Sequence, residues 1–138
     1  MPETILAFDY GLRRIGVAVG QDVTASASPV GSITNGDNGV DHEHMSRLIA
    51  EWRPSRLVVG MPLHADGSSS EMTDAVGAFV AELAQYELPV ETIDERYTSL
   101  EAERTLKNAR QQGSRGRISK ADIDAAAAVC IAERYLAL

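Results

Sequence analysis

The spacing of apolar residues changes period once along this 138-residue chain, and that change narrows the folds open to it. Up to about residue 40 the apolar positions fall in short β-rich runs: Thr4–Asp9, Ile15–Gly20 and Ser28–Thr34. Tyr10–Arg14 joins the first two, and Asn35–Gly39 is a dense turn signal that ends the third. Beyond it the period lengthens: Met45, Leu48, Ile49 and Trp52 share one face of a helix over Asp41–Trp52. Arg56–Gly60 reads as a short buried strand and Met61–Gly67 as a loop. Ser68–Glu71 forms a capping box ahead of a helix with an apolar stripe of Met72, Val76, Phe79, Val80 and Leu83. Pro89–Ile93 is the last strand. Thr98–Glu101 opens a further helix to about Gln112, Gly113–Gly116 breaks it, and Ser119–Leu138 is an alanine-rich final helix.

The resulting order is β-β-β-α-β-α-β-α-α. Three strands joined by short turns predict an antiparallel meander, and the later β-α alternation predicts crossovers onto a parallel portion. The expectation is a single α/β domain over residues 1–138, with a mixed five-stranded sheet flanked by helices. Its length is enough to bury a core without disulfides. Cys130 stands alone in an apolar helical run, which predicts a small core residue. With no basic leader visible and no apolar run long enough for a bilayer, a cytoplasmic location is expected.

A net charge of −7 argues against a nucleic-acid binder until its distribution is considered. Arg104–Lys120 holds six basic residues and no acidic one. Such a segment grips a polyanion locally, although a solvated basic loop has the same composition.

Three carboxylates stand at positions suited to chemistry. Asp9 ends the first apolar strand, where an unpaired acid is costly; it fits either an Asx-type turn cap before Gly11 or a ligand. Glu95 follows the last strand, where α/β sheets place ligands; Asp94 beside it points the other way on an extended chain. Asp124 shares a helical face with Ala127, Ala128, Ile131, Tyr135 and Leu138, the stripe that should pack on the sheet. Asp122, about 200° away, fits a capping box with Ser119 instead. Three close carboxylates suit Mg²⁺, a hard cation that takes oxygen ligands. A pair of such ions activates water and stabilises the leaving oxygen in phosphodiester hydrolysis. His42, His44 and His64 have no zinc-like spacing and are expected at the surface.

These residues lie in stretches that closely resemble the YqgF/RuvX family, whose members are named Holliday junction resolvases or pre-16S rRNA nucleases. The matching stretches are Phe8-Asp9-Tyr10-Gly11 with Arg14–Gly20, and Val59–Leu63 with Asp66-Gly67. Asp94–Ser99 with Glu101-Ala102, and Lys120 with Ile123-Asp124, complete the set. The resemblance runs the length of the chain. It implies an RNase H-like fold, with Asp9, Glu95 and Asp124 as a catalytic metal-binding triad for Mg²⁺ or Mn²⁺. It also implies a nucleic-acid substrate: 5′-end processing of pre-16S rRNA, with a pre-ribosomal particle as partner, or branched DNA. A second acid, Asp122, near the family's helix acid departs from the pattern. Arg13, Arg14, Arg96, Arg110, Arg115, Arg117 and Lys120 are the candidate substrate contacts. Gly11 and Gly16 admit a close approach to the first hairpin, by backbone or phosphate.

Two rivals come from other classes. An actin-like ATPase needs a second domain to close over ATP, for which the chain has no room. A non-catalytic RNA-binding assembly module would carry the triad as a relic. A monomer and a homodimer are equally compatible with the sequence.

Overall fold

The computed structural model describes residues 3–61, 71–94 and 120–137. Its sheet has the strand order β4-β3-β2-β1-β5-β6. The strands are β1 (Thr4–Tyr10), β2 (Arg14–Gln21), β3 (Ser26–Gly36), β4 (Gly39–Val40), β5 (Arg56–Met61) and β6 (Val90–Asp94). The pairs β1–β2, β2–β3 and β3–β4 are antiparallel, whereas β1–β5 and β5–β6 are parallel. The helices are α1 (His42–Trp52), α2 (Glu71–Leu83, continued by a 3₁₀ turn at Ala84–Tyr86) and α3 (Lys120–Leu136).

The mixed sheet matches the expectation in kind and exceeds it by one strand. The Asn35–Gly39 turn signal is itself half strand. Asn35 pairs with Val40 and Gly36 with Gly39, leaving Asp37-Asn38 as a tight turn, and Gly39 takes the positive φ of +83° that helps close it. Pro29 is tolerated inside β3 because β4 pairs only with Asn35 and Gly36, so among the described residues the strand's outer edge at Pro29 has no ladder partner.

Alternation along β1 and β2 divides two cores. Leu6, Phe8, Ile15, Val17, Val19, Leu57 and Val59 face α1 and α2, meeting Met45, Leu48, Val76, Phe79 and Leu83. On the other face, Ile5, Ala7 and Val58 meet Ile131 and Ala132 of α3. The β2 residues turned toward α3 are Gly16, Ala18 and Gly20, a row of small side chains that lets an alanine-rich helix lie close against the sheet. Cys130 is buried at the edge of this contact, as expected.

Local signals fix the helix ends. Asp41 caps α1 by accepting from the His44 N–H at 3.1 Å, and Arg53, in the left-handed region ahead of Pro54, closes it by donating to the Ile49 carbonyl. His42 departs from a plain surface position: its ring is half-buried, with Nδ1 2.6 Å from the Tyr86 hydroxyl and Nε2 3.0 Å from Glu82 Oε1. That polar tether joins the start of α1 to the end of α2. Among the described residues no helix is long and apolar enough to cross a membrane.

Candidate active site

The C-terminal ends of β1, β5 and β6 lie level at one edge of the sheet, because Phe8 is in register with Val59 and Val59 with Thr92. Parallel sheets place ligands at this edge. Asp9 shares the parity of Ile5 and Ala7 and so belongs to the α3 face, while Tyr10 turns to the opposite face and packs on Phe79 with ring centroids 5.0 Å apart.

The structure brings Asp124 to the same place through a glycine. Gly16 is the cross-strand partner of Asp9. A Cβ built on Gly16 would lie 2.0 Å from the carbonyl oxygen of Asp124 and 2.4 Å from its carbon. The first turn of α3 therefore rests directly on β2 beside Asp9, where any other residue would hold it off. The Asp124 side chain, 21% exposed, accepts a hydrogen bond from Arg14 Nε at 2.7 Å. Arg14, at the start of β2, has the same parity as Gly16. Ala128 and Ile131 on the Asp124 stripe are fully buried, as the helical spacing predicts.

The hairpin beside Asp9 is held from β3. Asn35, 6% exposed, donates from Nδ2 to the Gly11 carbonyl at 2.8 Å, and its backbone N–H donates to the Arg13 carbonyl at 2.8 Å. Gly11 is required by the turn, since a Cβ there would sit 2.6 Å from the Arg14 carbonyl oxygen. Both glycines thus admit the chain's own backbone. The loop presents Leu12 and Arg13 outward, both exposed. Across the site, Arg134 Nη1 donates to the Asp94 carbonyl at 2.8 Å and ties the end of β6 to α3.

Glu95, Arg96, Arg110, Arg115 and Arg117 lie outside the described residues, as do the loop after Met61 and the helix expected from Thr98. Lys120 begins α3, but its side chain is likewise outside them. Asp122 falls in the first turn of α3; its capping partner Ser119 is outside the described residues. Among the described residues no group of three or more His, Cys, Asp or Glu side chains is placed to hold a metal ion. Asp9 and Asp124 are the two candidate acids that the described part contributes. Sequence reasoning missed Asn35, read as a turn residue, and the Arg14–Asp124 pair. The turn composition hid the first, and no local pattern signals a contact 110 residues apart.

At the other end of the sheet an open cleft is lined by Glu3, Asp22, Arg56, Glu91, Tyr135 and Leu136. Arg56 pairs there with Glu91 at 2.9 Å and donates to the Tyr135 hydroxyl at 2.8 Å. The Tyr135 hydroxyl and then Arg56 hold the Glu91 carboxyl below its ordinary range. Burial, with the Glu91 hydrogen bond next, pushes Tyr135 up. Arg56 also pairs with Glu3 at 3.1 Å, and the cluster latches the end of α3 to β5 and β6.

A family model described as "RuvX: Holliday junction resolvase" matches residues 3–138. The chain belongs to the RuvX family. Among its relatives, a "Putative pre-16S rRNA nuclease" of Paraburkholderia xenovorans is 44% identical over 134 residues, covering 96% of this chain and 87% of that one. The Burkholderia lata protein of the same name is 45% identical, covering 96% and 88%. Two solved structures share the architecture. Thermus thermophilus RuvC in complex with a Holliday junction substrate has a TM-score of 0.57 at 14% identity, covering 98% of this chain and 94% of that one. The yeast mitochondrial Holliday junction resolvase Ydc2 has a TM-score of 0.53 at 8% identity, covering 96% and 77%. At these identities the likeness is one of fold, and the fold of this RuvX-family chain is RNase H-like.

Proposed function

We propose that this chain is a divalent-cation-dependent nuclease that hydrolyses phosphodiester bonds in structured nucleic acid, with Asp9, Glu95 and Asp124 as the catalytic metal-binding triad. The observation that carries the reading is the seating of Asp124 on Gly16, the cross-strand partner of Asp9. It draws an acid from the first strand and one from the last helix to a single edge of the sheet. Glu95 immediately follows Asp94, the last residue of β6, and has the sequence parity of Ile93, which faces α3. Carboxylates are hard oxygen donors of the kind Mg²⁺ and Mn²⁺ take, so the residue types fit the ion. A cation held there supplies positive charge to activate a water and to offset charge on the phosphoryl oxygens.

The chain's own residues then divide the work. Asp9 at the end of β1 and Asp124 in α3 would hold the cation, with Gly16 setting how closely α3 approaches the sheet there. Arg13, exposed on the adjacent hairpin, reaches a phosphate oxygen and orients the strand. Arg96, Arg110, Arg115, Arg117 and Lys120 add positive charge along the chain between Glu95 and Asp124, and so supply the grip on a polyanion. The names of the relatives support the 5′ end of pre-16S rRNA within a pre-ribosomal particle as the substrate. The family description supports branched DNA as the second reading.

The test is cleavage of a pre-16S rRNA fragment and of a synthetic four-way junction, each with Mg²⁺ and with chelator. Asp9→Asn should abolish cleavage, by about 10³-fold or more, while substrate is still bound. An unchanged rate would remove the nuclease reading and favour a non-catalytic RNA-binding module.

A further inference from the structure

Among the described residues the hairpin is secured by Asn35, through the carbonyls of Gly11 and Arg13, and the Arg14 guanidinium points elsewhere. It reaches across the sheet face to Asp124. Nε donates to Oδ2 at 2.7 Å, a short charge-assisted bond, with the two side chains 37% and 21% exposed. Asp124 is not at liberty to withdraw, because its backbone is pressed on Gly16. A fixed positive charge therefore stands against the acid that α3 seats beside the cross-strand partner of Asp9.

We propose that Arg14 is a positioning residue that balances the charge of the candidate metal site. Its guanidinium clamps Oδ2 of Asp124 and would hold the affinity of the site for a cation below the maximum its carboxylates could give. The inference rests on the reading of Asp124 as a metal ligand. Without a cation, the Arg14 guanidinium pairs the half-buried Asp124 carboxylate and offsets the cost of holding it at the sheet face. With a cation present, the same charge opposes it. One side chain thus stabilises the empty site and weakens the filled one, and the two effects are linked. Clamping one oxygen also restricts the carboxylate to one orientation, which favours turnover over raw affinity.

The experiment titrates Mn²⁺ into the full chain, following the free ion by electron paramagnetic resonance, for wild type, Arg14→Gln, Arg14→Lys and Asp124→Asn. Melting temperatures with and without Mn²⁺ are measured alongside. Arg14→Gln is expected to bind Mn²⁺ on the order of tenfold more tightly. It should melt lower than wild type without the ion, gain more on adding it, and yet cleave more slowly. Arg14→Lys, which keeps the charge and loses the planar fork, should keep the wild-type affinity within about threefold and lose turnover. A merely structural Arg14 would lower stability without tightening the binding of the ion.

Unchanged or weaker Mn²⁺ binding in Arg14→Gln would overturn the inference. If Arg14→Gln fails to fold, Arg14→Lys decides it, and a change in affinity beyond about threefold in that variant refutes it. Asp124→Asn separates the two levels. If it binds Mn²⁺ as wild type does, the metal-ligand reading fails and this inference with it. If it loses the ion while Arg14→Gln leaves affinity unchanged, only the role of Arg14 fails.

Discussion

Gly16→Ala is the smallest change that tests how the site is built. It adds one methyl group to a strand, on the face that meets α3. That carbon would start 2.0 Å from the Asp124 carbonyl oxygen, and ordinary contact begins near 3.4 Å, so the helix or the strand must yield by about 1.4 Å. The nearest atoms are all backbone, so no side-chain rotation relieves the clash. The strand has little room either, since β2 is paired on both sides by β1 and β3. Overpacking of this kind costs about 2–3 kcal/mol. For a chain of this size that lowers the melting temperature by about 6–12 °C. The shift falls on the first turn of α3, so Asp124 moves away from Asp9 by a distance on the scale of the clash. A misplacement of about 1 Å in a catalytic group costs on the order of 10²-fold in rate. The assay is thermal melting followed by far-ultraviolet circular dichroism, with cleavage measured well below the melting transition. A Gly16→Ala protein with wild-type melting temperature and wild-type rate would refute the argument that α3 seats on that glycine. Stability lost with rate retained would refute the argument that the seating places Asp124.

Two further outcomes follow from contacts away from that seat. Asn35→Ala removes the side-chain donor to the Gly11 carbonyl, so it should cost about 1–2 kcal/mol in denaturant unfolding and raise KM more than it lowers kcat, through loosening of the Arg13 hairpin. An unchanged KM would sever the hairpin from substrate binding. The Glu91 carboxyl has its pKa depressed in the folded state, first by Tyr135 and then by Arg56, so it favours folding above its unfolded value, and that contribution disappears as pH falls through the lower, folded value. Glu91→Gln should therefore give a flatter acid limb in melting temperature against pH than wild type, and parallel limbs would refute the latch.

The sheet was legible because period two and period 3.6 alternate cleanly in this chain. Leu6 and Phe8 against Ile5 and Ala7 announce a strand buried on both faces, and the spacing of Met45, Leu48 and Trp52 announces α1. The two-residue strand β4 was not legible, because Asn35–Gly39 carries the composition of a loop and the pairings of Asn35 with Val40 and Gly36 with Gly39 make part of it strand. Within the site, Asp124 could be placed on the sheet-facing side of its helix from Ala128 and Ile131 alone, and both are fully buried. Its neighbour across the sheet could not be named the same way. The Arg14–Asp124 contact and the Asn35 amide join segments whose sequences say nothing of each other. They are products of packing, and local pattern carries no information about which distant element will cover a given face.

One consequence ties stability to activity more closely than in a site built on a single loop. Asp9 comes from the first strand and Asp124 from the last helix, so the two acids come to one end of the sheet only when α3 has docked. That docking surface is a row of small residues, Gly16, Ala18 and Gly20, under an alanine-rich helix. Contacts between small side chains bury modest apolar area, so each contributes little by the area rule, and their combined value depends on close approach. The latch at the far end, where Arg56 holds Tyr135, and the clamp at the near end, where Arg14 holds Asp124, anchor the helix at both extremities of that weak seam. The site thus uses one polar clamp for two purposes, fixing the position of a carboxylate and securing the element that carries it. Loosening α3 anywhere along its length should reach the chemistry before it reaches the rest of the fold.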